Sequence, residues 1–460
     1  MVRQYDPSPV TQPPLLDELR GVVGDAHLLV DDDLKASYET DWMRRWSGRS
    51  TCVVRPADRG EVAAVVTACA SRRVSIVPQG GNTGLVGGSV PGTGEPVIVS
   101  LRRLTGISEV SAAGRVTVGA GCTLEEVQTA VAGSGWDVGV DLASRASATI
   151  GGMIATNAGG IRVLRDGMMR RQVVGIEVVL ASGQVVSSMR GLVKDNTGYD
   201  LAGLLCGSEG TLGIVTQAIL QLVPSRPYRV VALVPVSGIA EAVGVVNAVR
   251  NSLPSLESAE YVSAETVALV RRHGNLPAPS STGDSAVLLF ECAGVADPTD
   301  ELFAAVGGFD EAVVGMDSAA RRRLWAYRET ATESIAGRGI PHKLDITVPL
   351  GRMAAFEAAL LETVVGPDHE TYLFGHIADE GLHVNVISTD PTDHALDEAI
   401  MRLAAEHGGS ISAEHGIGRA KISGLDLMRS ATELATMKAI RTALDPDRIL
   451  NPGVLFPAEV

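Results

Sequence analysis

The sequence predicts an α+β protein of two domains, preceded by a helical lead-in and closed by a helical tail. Three observations carry this. Strand and helix patterns alternate from Thr51 to about Pro224. A second set of longer apolar strands and amphipathic helices follows the segment S-R-P-Y-R at 225–229. Glycine is over-used, 51 of 460 residues, about 11 per cent against a typical ~7 per cent. The excess is clustered in short loops, which points to binding through the backbone.

Residues 1–45 read as a helical lead-in with a Pro-rich start, and residues 46–224 as the first domain. Within it T-C-V-V-R-P is a strand. Asp58 with Glu61 resembles a capping box that opens a helix to about Arg73, and V-S-I-V-P is the next strand. The unit recurs: R-V-T-V-G-A is a strand, and Thr123 with Glu126 caps a helix through Ala132. V-V-G-I-E-V-V-L, a Ser-Gly turn at 182–183 and Q-V-V-S form a hairpin. Residues 225–425 make the second domain, an antiparallel sheet with helices expected on one face. Its most apolar stretch, Val230 to Val249, contains Pro235, Glu241 and Asn247. A strand, a turn and a helix explain it better than a membrane span. Ser318 to Ala336 reads as one strong helix, and a His-bearing hairpin closes the sheet. Residues 426–460 return to helix and are expected to pack back on the first domain.

Composition excludes several classes. Net charge is −15, and no basic run is longer than Arg321-Arg322-Arg323, so the basic footprint of a nucleic-acid binder is missing. The five cysteines (Cys52, Cys69, Cys122, Cys206, Cys292) are scattered and form no C-x-x-C. They read as reduced thiols of a cytoplasmic protein and exclude an iron–sulfur module within this chain. The N-terminus has no apolar h-region, so no secretory signal is expected.

Three glycine clusters fall in the first domain. P-Q-G-G-N-T-G-L-V-G-G-S, Pro78 to Ser89, directly follows a strand. Its run of unshielded backbone N–H groups makes an anion nest suited to a pyrophosphate. I-G-G-M-I-A-T-N-A-G-G spans Ile150–Gly160, and G-S-E-G-T-L-G-I spans Gly207–Ile214. None matches G-x-G-x-x-G or a Walker A motif, so neither a Rossmann site nor a P-loop is supported.

The second domain carries F-G-H-I-A-D-E-G-L-H-V-N-V, Phe374 to Val386. It reads as strand, four-residue turn at Ala378-Asp379-Glu380-Gly381, strand. A turn centred between Asp379 and Glu380 sets Ile377 opposite Leu382 and His376 opposite His383. Directly opposed residues have Cβ atoms roughly 4.5–5.5 Å apart on one face, so the two imidazoles can share a metal. Asn385 lies on the same face. S-A-E-H-G-I-G then offers Glu414 and His415. Two His and one Glu suffice for a divalent metal with an open position.

Taken together these motifs resemble the flavoproteins of the vanillyl-alcohol-oxidase type, which carry a p-cresol-methylhydroxylase-type (PCMH-type), two-subdomain FAD-binding domain. The match runs from about Thr51 to Phe456. It rests on P-Q-G-G-N-T-G-L-V-G-G-S, A-T-N-A-G-G, K-D-N-T-G-Y-D-L at 194–201, G-S-E-G-T-L-G-I, G-H-x-x-D-x-x-L-H-x-N and E-H-G-I-G. Within that superfamily the chain is similar to the D-2-hydroxy-acid dehydrogenases, above all those acting on D-2-hydroxyglutarate.

The resemblance implies an FAD-binding domain followed by an antiparallel-sheet substrate (cap) domain and a helical C-terminal segment. It implies FAD held over Pro78, Gln79, Gly80, Gly81, Asn82, Thr83, Gly84, Leu85, Gly87, Gly88 and Ser89. Ser147, Ile150, Gly151, Gly152, Asn157, Gly159 and Gly160 would line it further, with Gly207, Gly213, Ile214 and Asn451. Some relatives attach the flavin through a His after the paired glycines; this chain has Asn82 there, so non-covalent FAD is expected. His376, His383 and Glu414 match positions that bind a divalent metal, usually zinc. His415 matches the proposed catalytic base, and with Arg328, Thr332, Lys343 and Asn385 it matches substrate-contacting positions.

The chemistry is coherent. A metal on the 2-hydroxyl acidifies it, a neutral His removes the proton, and hydride passes to the flavin. Arg321, Trp325, Arg328 and Thr332 form one helical stripe, and a guanidinium there suits a carboxylate. Lys343 shares a strand face with Asp345 and Thr347, a second cation for a diacid. Relatives usually read H-x-G-D-G-N-L-H, whereas this chain has H-I-A-D-E-G-L-H. Glu380 is therefore a candidate extra ligand or repulsive group.

The expected reaction is oxidation of D-2-hydroxyglutarate to 2-oxoglutarate, with a D-lactate or glycolate dehydrogenase as the alternative. A flavin-free metallohydrolase and a flavin-binding module with a structural metal are rivals of other classes. The resemblance also implies an electron-transfer flavoprotein or a quinone-linked carrier as acceptor; a homodimer is the general prior.

Overall fold

The computed structural model describes residues 13–281, 283–366 and 369–458. The Pro-rich start of the expected lead-in, residues 1–12, lies outside them. The lead-in that follows is helical at Pro13–Val23 and Asp32–Glu39.

The first sheet is built from β1 (Leu28–Leu29), β2 (Cys52–Val54), β3 (Ile76–Gln79) and β4 (Val97–Ser100), in the order β1-β2-β4-β3. Its last three strands are parallel. Their short apolar runs are buried on both faces, as parallel strands require. Val53, Val77 and Ile98 make one small core, and Cys52, Val54, Ile76, Val97 and Val99 join the large one. Helix Arg59–Ala70 crosses from β2 to β3, and the Asp58 side chain accepts its Glu61 N–H.

The second sheet packs on the same core. It comprises β5 (Arg115–Gly119), β7 (Val173–Val179), β8 (Val185–Ser188) and β9 (Ile214–Gln221), in the antiparallel order β5-β9-β7-β8. β6 (Trp136–Asp137) and β10 (Val223–Pro224) pair beside it. The Thr123–Glu126 capping box is formed in full, and the 173–188 hairpin is present. The glycine-rich loop after β3 leaves the carboxyl edge of the parallel sheet, where open sheets place ligands.

The third sheet has seven antiparallel strands: β11 (Tyr228–Val236), β12 (Leu256–Val262), β13 (Ala286–Gly294), β14 (Val313–Gly315), β15 (His342–Thr347), β16 (Glu370–His376) and β17 (Gly381–Ile387). The order is β14-β11-β13-β12-β16-β17-β15. Three expectations change here. Helices cover both faces: those at 239–250, 299–306, 353–359 and 394–406 on one, those at 264–274, 318–329 and 331–336 on the other. The continuous apolar runs of β11 and β13 are the cause, since both faces of each strand need burial. The His-bearing hairpin β16–β17 is interior, and β15 forms the edge. The stretch 318–336 is two helices broken at Thr330, whose Oγ1 donates to the Ala326 carbonyl and competes with the helical bond there.

The tail helix Ala431–Leu444 is followed by residues that return to the first sheet. Ile76 N–H donates to the Ile449 carbonyl, and Leu450 bridges Ile76 in parallel. Among the described residues no helix is long and apolar enough to cross a membrane.

Candidate active site between the two domains

One cavity of about 900 Å³ runs from the glycine loops of the first domain to the β15–β17 edge of the seven-stranded sheet. Its far end is built on the hairpin, with a register different from the expected one. Phe374, not His376, stands opposite His383. The turn starts one residue earlier, as a tight helical turn at Ile377–Asp379 with Glu380 at φ 71. The shift moves pairing by two positions in total, so the two His become diagonal neighbours and keep one face. Their ring centroids lie 5.5 Å apart.

A row of charged residues crosses four strands on this face. Glu260 of β12 stands opposite His376. Asp345 of β15 stands opposite His383, and Lys343 opposite Asn385. The 410–418 loop brings Glu414 and His415 over the row, anchored where Asp345 Oδ2 accepts both their backbone N–H groups at 2.7 and 2.9 Å. Glu414 Oε1 then faces the Nε2 atoms of His376, His383 and His415 at 3.8, 3.9 and 3.9 Å.

The electrostatics follow from burial and partners. Burial favours neutral His376, yet the Glu260 carboxylate against it raises its pKa well above the usual value. Burial wins at His415, pulling it down to about 4, and also lowers His383. Both are neutral at pH 7. Burial pushes the Glu414 carboxyl up, but the His376 hydrogen bond and charge outweigh it and hold it low. Asp345 is held low by His415 and His383 against the same burial.

These groups suit a divalent cation. Ligand atoms of Asp345, His383, Glu414 and His415 lie within 4.8 Å of one another, and His376, outside that group, sets its Nε2 3.8 Å from Glu414 Oε1; imidazole nitrogens and carboxylate oxygens are the donors zinc takes. Beside them Arg328 Nε donates to Glu260 Oε2 at 2.6 Å, and its guanidinium lies 4.5 Å above the Phe374 ring. Lys343 is half-buried and lines the cavity, and desolvation there pulls its ammonium down to about 8. Thr332 lines the cavity from the second of the two helices.

Two expected residues do not line the cavity. Asn385 shares the face of His383 and Lys343 but is buried, with its amide donating to the Tyr372 carbonyl at 3.3 Å. Glu380 turns away from the His cluster, its Oε1 accepting the Leu350 N–H at 3.0 Å. It is neither an extra ligand nor a repulsive neighbour there. The acid of this turn that feels His376 is Asp379, which burial pushes up to about 6.

The other end fits a long ligand approached by backbone. Gly81 lies so close to the 144–152 segment that a Cβ would sit 1.9 Å from the Ser147 carbonyl, whereas a Cβ on Gly84 would meet only Ser89 Oγ at 3.7 Å. Pro78, Gly80 to Leu85, Gly88, Ser89, Ser147, Gly151, Gly152, Gly159, Gly160, Gly213, Ile214 and Asn451 line the cavity. Asn82 is fixed by bonds to the Thr40 carbonyl and Ser89 Oγ.

Five expected lining residues stand behind this wall. Gln79 holds the Tyr38 and Ser89 carbonyls, Gly87 lies under the Trp46 ring, and Ile150 is in the core. Asn157 caps a helix and accepts the Arg170 N–H, and Gly207 approaches that arginine.

Sequence reasoning missed the 141–146 stretch that completes the lining, and it missed Glu209. Glu209 crosses between domains to accept the Ile417 and Gly418 N–H groups, each at 2.8 Å. It also assigned no role to Glu260 or Asp345, whose signal is only a carboxylate at alternate positions of a strand.

Residues 225–455 match the family of FAD linked oxidases, C-terminal domain, and residues 50–188 match an FAD binding domain. D-2-hydroxyglutarate dehydrogenase of Xanthomonas citri pv. viticola is 40% identical over 440 residues, covering 91% of this chain and 92% of that protein. The chain belongs to the D-2-hydroxyglutarate dehydrogenase family of FAD-linked oxidases. It is an FAD-dependent oxidoreductase of D-2-hydroxy-acid dehydrogenase type. The mitochondrial D-2-hydroxyglutarate dehydrogenase of Bos taurus is 37% identical, covering 94% of this chain and 81% of that one. The fold also matches p-cresol methylhydroxylase at a TM-score of 0.76 and 18% identity, covering 98% of each chain. The PCMH-type architecture expected from the motifs is therefore the one adopted.

Proposed function

We propose that the enzyme oxidises D-2-hydroxyglutarate to 2-oxoglutarate, with a divalent metal, zinc, held by His376, His383 and Glu414. The observation that carries this is the convergence of three Nε2 atoms on Glu414 Oε1 at 3.8–3.9 Å, with Arg328 and Lys343 lining the same cavity. When bound, the flavin supplies a hydride acceptor and the metal acidifies the substrate's 2-hydroxyl.

The chain's own residues do the rest. His415, kept neutral by burial, takes the hydroxyl proton on Nε2, the nitrogen on the Glu414 side. Arg328 and Lys343 bind the distal carboxylate, so a diacid is preferred over lactate or glycolate. Asp345 holds Glu414 and His415 at fixed positions through their backbone. Non-covalent FAD agrees with Asn82, whose side chain is already engaged by protein atoms. We assign flavin reoxidation to a separate electron-transfer flavoprotein or quinone-linked carrier.

The test is anaerobic bleaching of the bound flavin by D- and L-2-hydroxyglutarate, D-lactate and glycolate, before and after chelation. Bleaching by the D-diacid that chelator removes and Zn²⁺ restores is expected. Preference for the L-form, or indifference to the chelator, would overturn the reading.

A further inference from the structure

We propose that Glu260 and Asp345 are positioning residues that hold a proton on Nδ1 of His376 and His383, so that Nε2 of each ring, which faces Glu414, is the nitrogen offered to a metal. This rests on reading the His–Glu cluster as a metal site.

The strands flanking the hairpin each set one carboxylate directly opposite one histidine: Glu260 opposite His376, and Asp345 opposite His383. Both carboxylates are essentially fully buried, at 0 and 1% exposure. Two buried acids in mirrored places are costly unless each has hydrogen-bond donors. Glu260 Oε1 lies 2.6 Å from His376 Nδ1. Asp345 Oδ1 lies 3.3 Å from His383 Nδ1, and both atoms are buried without an aligned hydrogen bond, to each other or to any other group. A proton on Nδ1 makes the bond to Glu260 at His376, and at His383 a small ring rotation brings it onto Asp345 Oδ1.

The second oxygen of each carboxylate is already committed. Glu260 Oε2 accepts from Arg328 Nε, and Asp345 Oδ2 accepts the backbone N–H groups of Glu414 and His415. An ionised carboxylate only accepts, so the facing nitrogen, Nδ1, must carry the proton in each ring. A ligating imidazole oriented in this way binds metal more tightly, and loss of such a partner costs about 10–100-fold in affinity.

The same geometry decides what Asp345 is. Its ligand atom lies within 4.8 Å of those of His383, Glu414 and His415, so it is a conceivable ligand itself. But Oδ2 is saturated by two backbone donors, and Oδ1 faces the Nδ1 side of His383 rather than the Nε2 side. Asp345 acts through His383. Glu260 has a further consequence, because it joins His376 to Arg328 and so ties the cluster to a cation of the substrate cavity.

The amide variants make a sharp test. In Asp345→Asn the carbonyl oxygen stays with the two backbone donors, and the NH₂ faces His383 Nδ1. That forces the proton to Nε2, where it blocks the metal. Glu260→Gln does the same at His376. Metal-stripped flavoprotein of wild type, E260Q, D345N and H383A is titrated with Zn²⁺ against a chromogenic chelator. The histidine ring nitrogens are read by ¹⁵N NMR of the metal-free protein.

We expect E260Q and D345N to keep wild-type flavin content and to bind Zn²⁺ about 10–100-fold more weakly. The His383 proton moves from Nδ1 in wild type to Nε2 in D345N. Zn²⁺ affinities within twofold of wild type in both amide variants, with H383A having lost the metal, would overturn the proposal alone. If H383A also keeps Zn²⁺, the metal reading falls; the ring nitrogens then decide, an unmoved proton overturning the tautomer claim and a moved one supporting it. The two carboxylates sit on different strands, so a folding failure of one variant leaves the other as the test.

Discussion

Glu414 reaches both halves of the cavity through Gly160: its Oε2 accepts the Gly160 N–H at 2.6 Å, while its Oε1 faces the three imidazoles. The glycine loop of the FAD-binding domain and the His cluster of the second domain thus share one side chain. Replacing it separates two jobs. Glu414→Gln retains an oxygen for Gly160 and should hold flavin normally while losing the metal. Glu414→Ala should lose both, with flavin bound about tenfold more weakly, the low end of the ~1.5–3 kcal/mol of a hydrogen bond to a charged group. Flavin fluorescence released on dilution measures this; equal flavin affinity in the two variants would refute it.

Lys343 gives a pH dependence. Burial lowers its pKa to about 8, with Arg328 adding to the effect and Asp345 and Glu414 opposing it. A lowered pKa means that the ammonium is charged below pH 8 and lost above it. KM for D-2-hydroxyglutarate should therefore be flat below pH 8 and climb above it, while KM for D-lactate, which has no distal carboxylate, changes little. Lys343→Arg should flatten the profile, since guanidinium stays protonated. Lys343→Met should raise KM for the diacid about 10–100-fold at pH 7, the value of a charge-assisted contact. Parallel changes for both substrates would remove Lys343 from the distal subsite.

His383 and His415 stack with ring centroids 5.5 Å apart, yet their variants should fail differently. His383→Ala should stay yellow and lose the metal. His415→Ala should keep both and slow flavin reduction by about 10²–10⁴-fold, the usual worth of a general base. Metal analysis with stopped-flow absorbance at saturating substrate separates them; loss of metal from both would make His415 a ligand instead.

Much of this was legible in the sequence because the relevant residues are punctuation. Helix N-caps, paired glycines and the spacing of His376 and His383 act within a few residues of themselves. The register of the hairpin was not legible, since a tight turn at Ile377–Asp379 and a four-residue turn one step later use the same residues. The error was harmless because the side-chain period is two. Cross-strand partners are a different matter. Glu260 lies 116 residues before His376 in the chain, and nothing local tells a buried carboxylate from a solvated one. The covering of the large sheet was readable in principle: V-V-A-L-V in β11 is continuous, not alternating, and signals two buried faces.

Gly84 and Gly160 make the most direct test of the flavin half, because alanine should injure them in opposite ways. At Gly160 φ is +98, and a Cβ would lie 2.0 Å from the Asp141 carbonyl. The backbone there bridges Asp141 in parallel, and its N–H serves Glu414. Alanine must therefore displace the 141–146 wall, strain the backbone by about 1–3 kcal/mol and loosen Glu414 together. At Gly84 the Cβ would enter the cavity, meeting only Ser89 Oγ at 3.7 Å. Gly84→Ala should then melt like the wild type as apoprotein yet bind FAD more weakly, because the added methyl occupies ligand space. Gly160→Ala should melt lower as apoprotein and lose affinity for FAD and Zn²⁺ alike. Thermal unfolding of the two apoproteins, followed by FAD and Zn²⁺ titration, distinguishes these outcomes; a normal FAD affinity in Gly84→Ala would place the ligand elsewhere than over this loop.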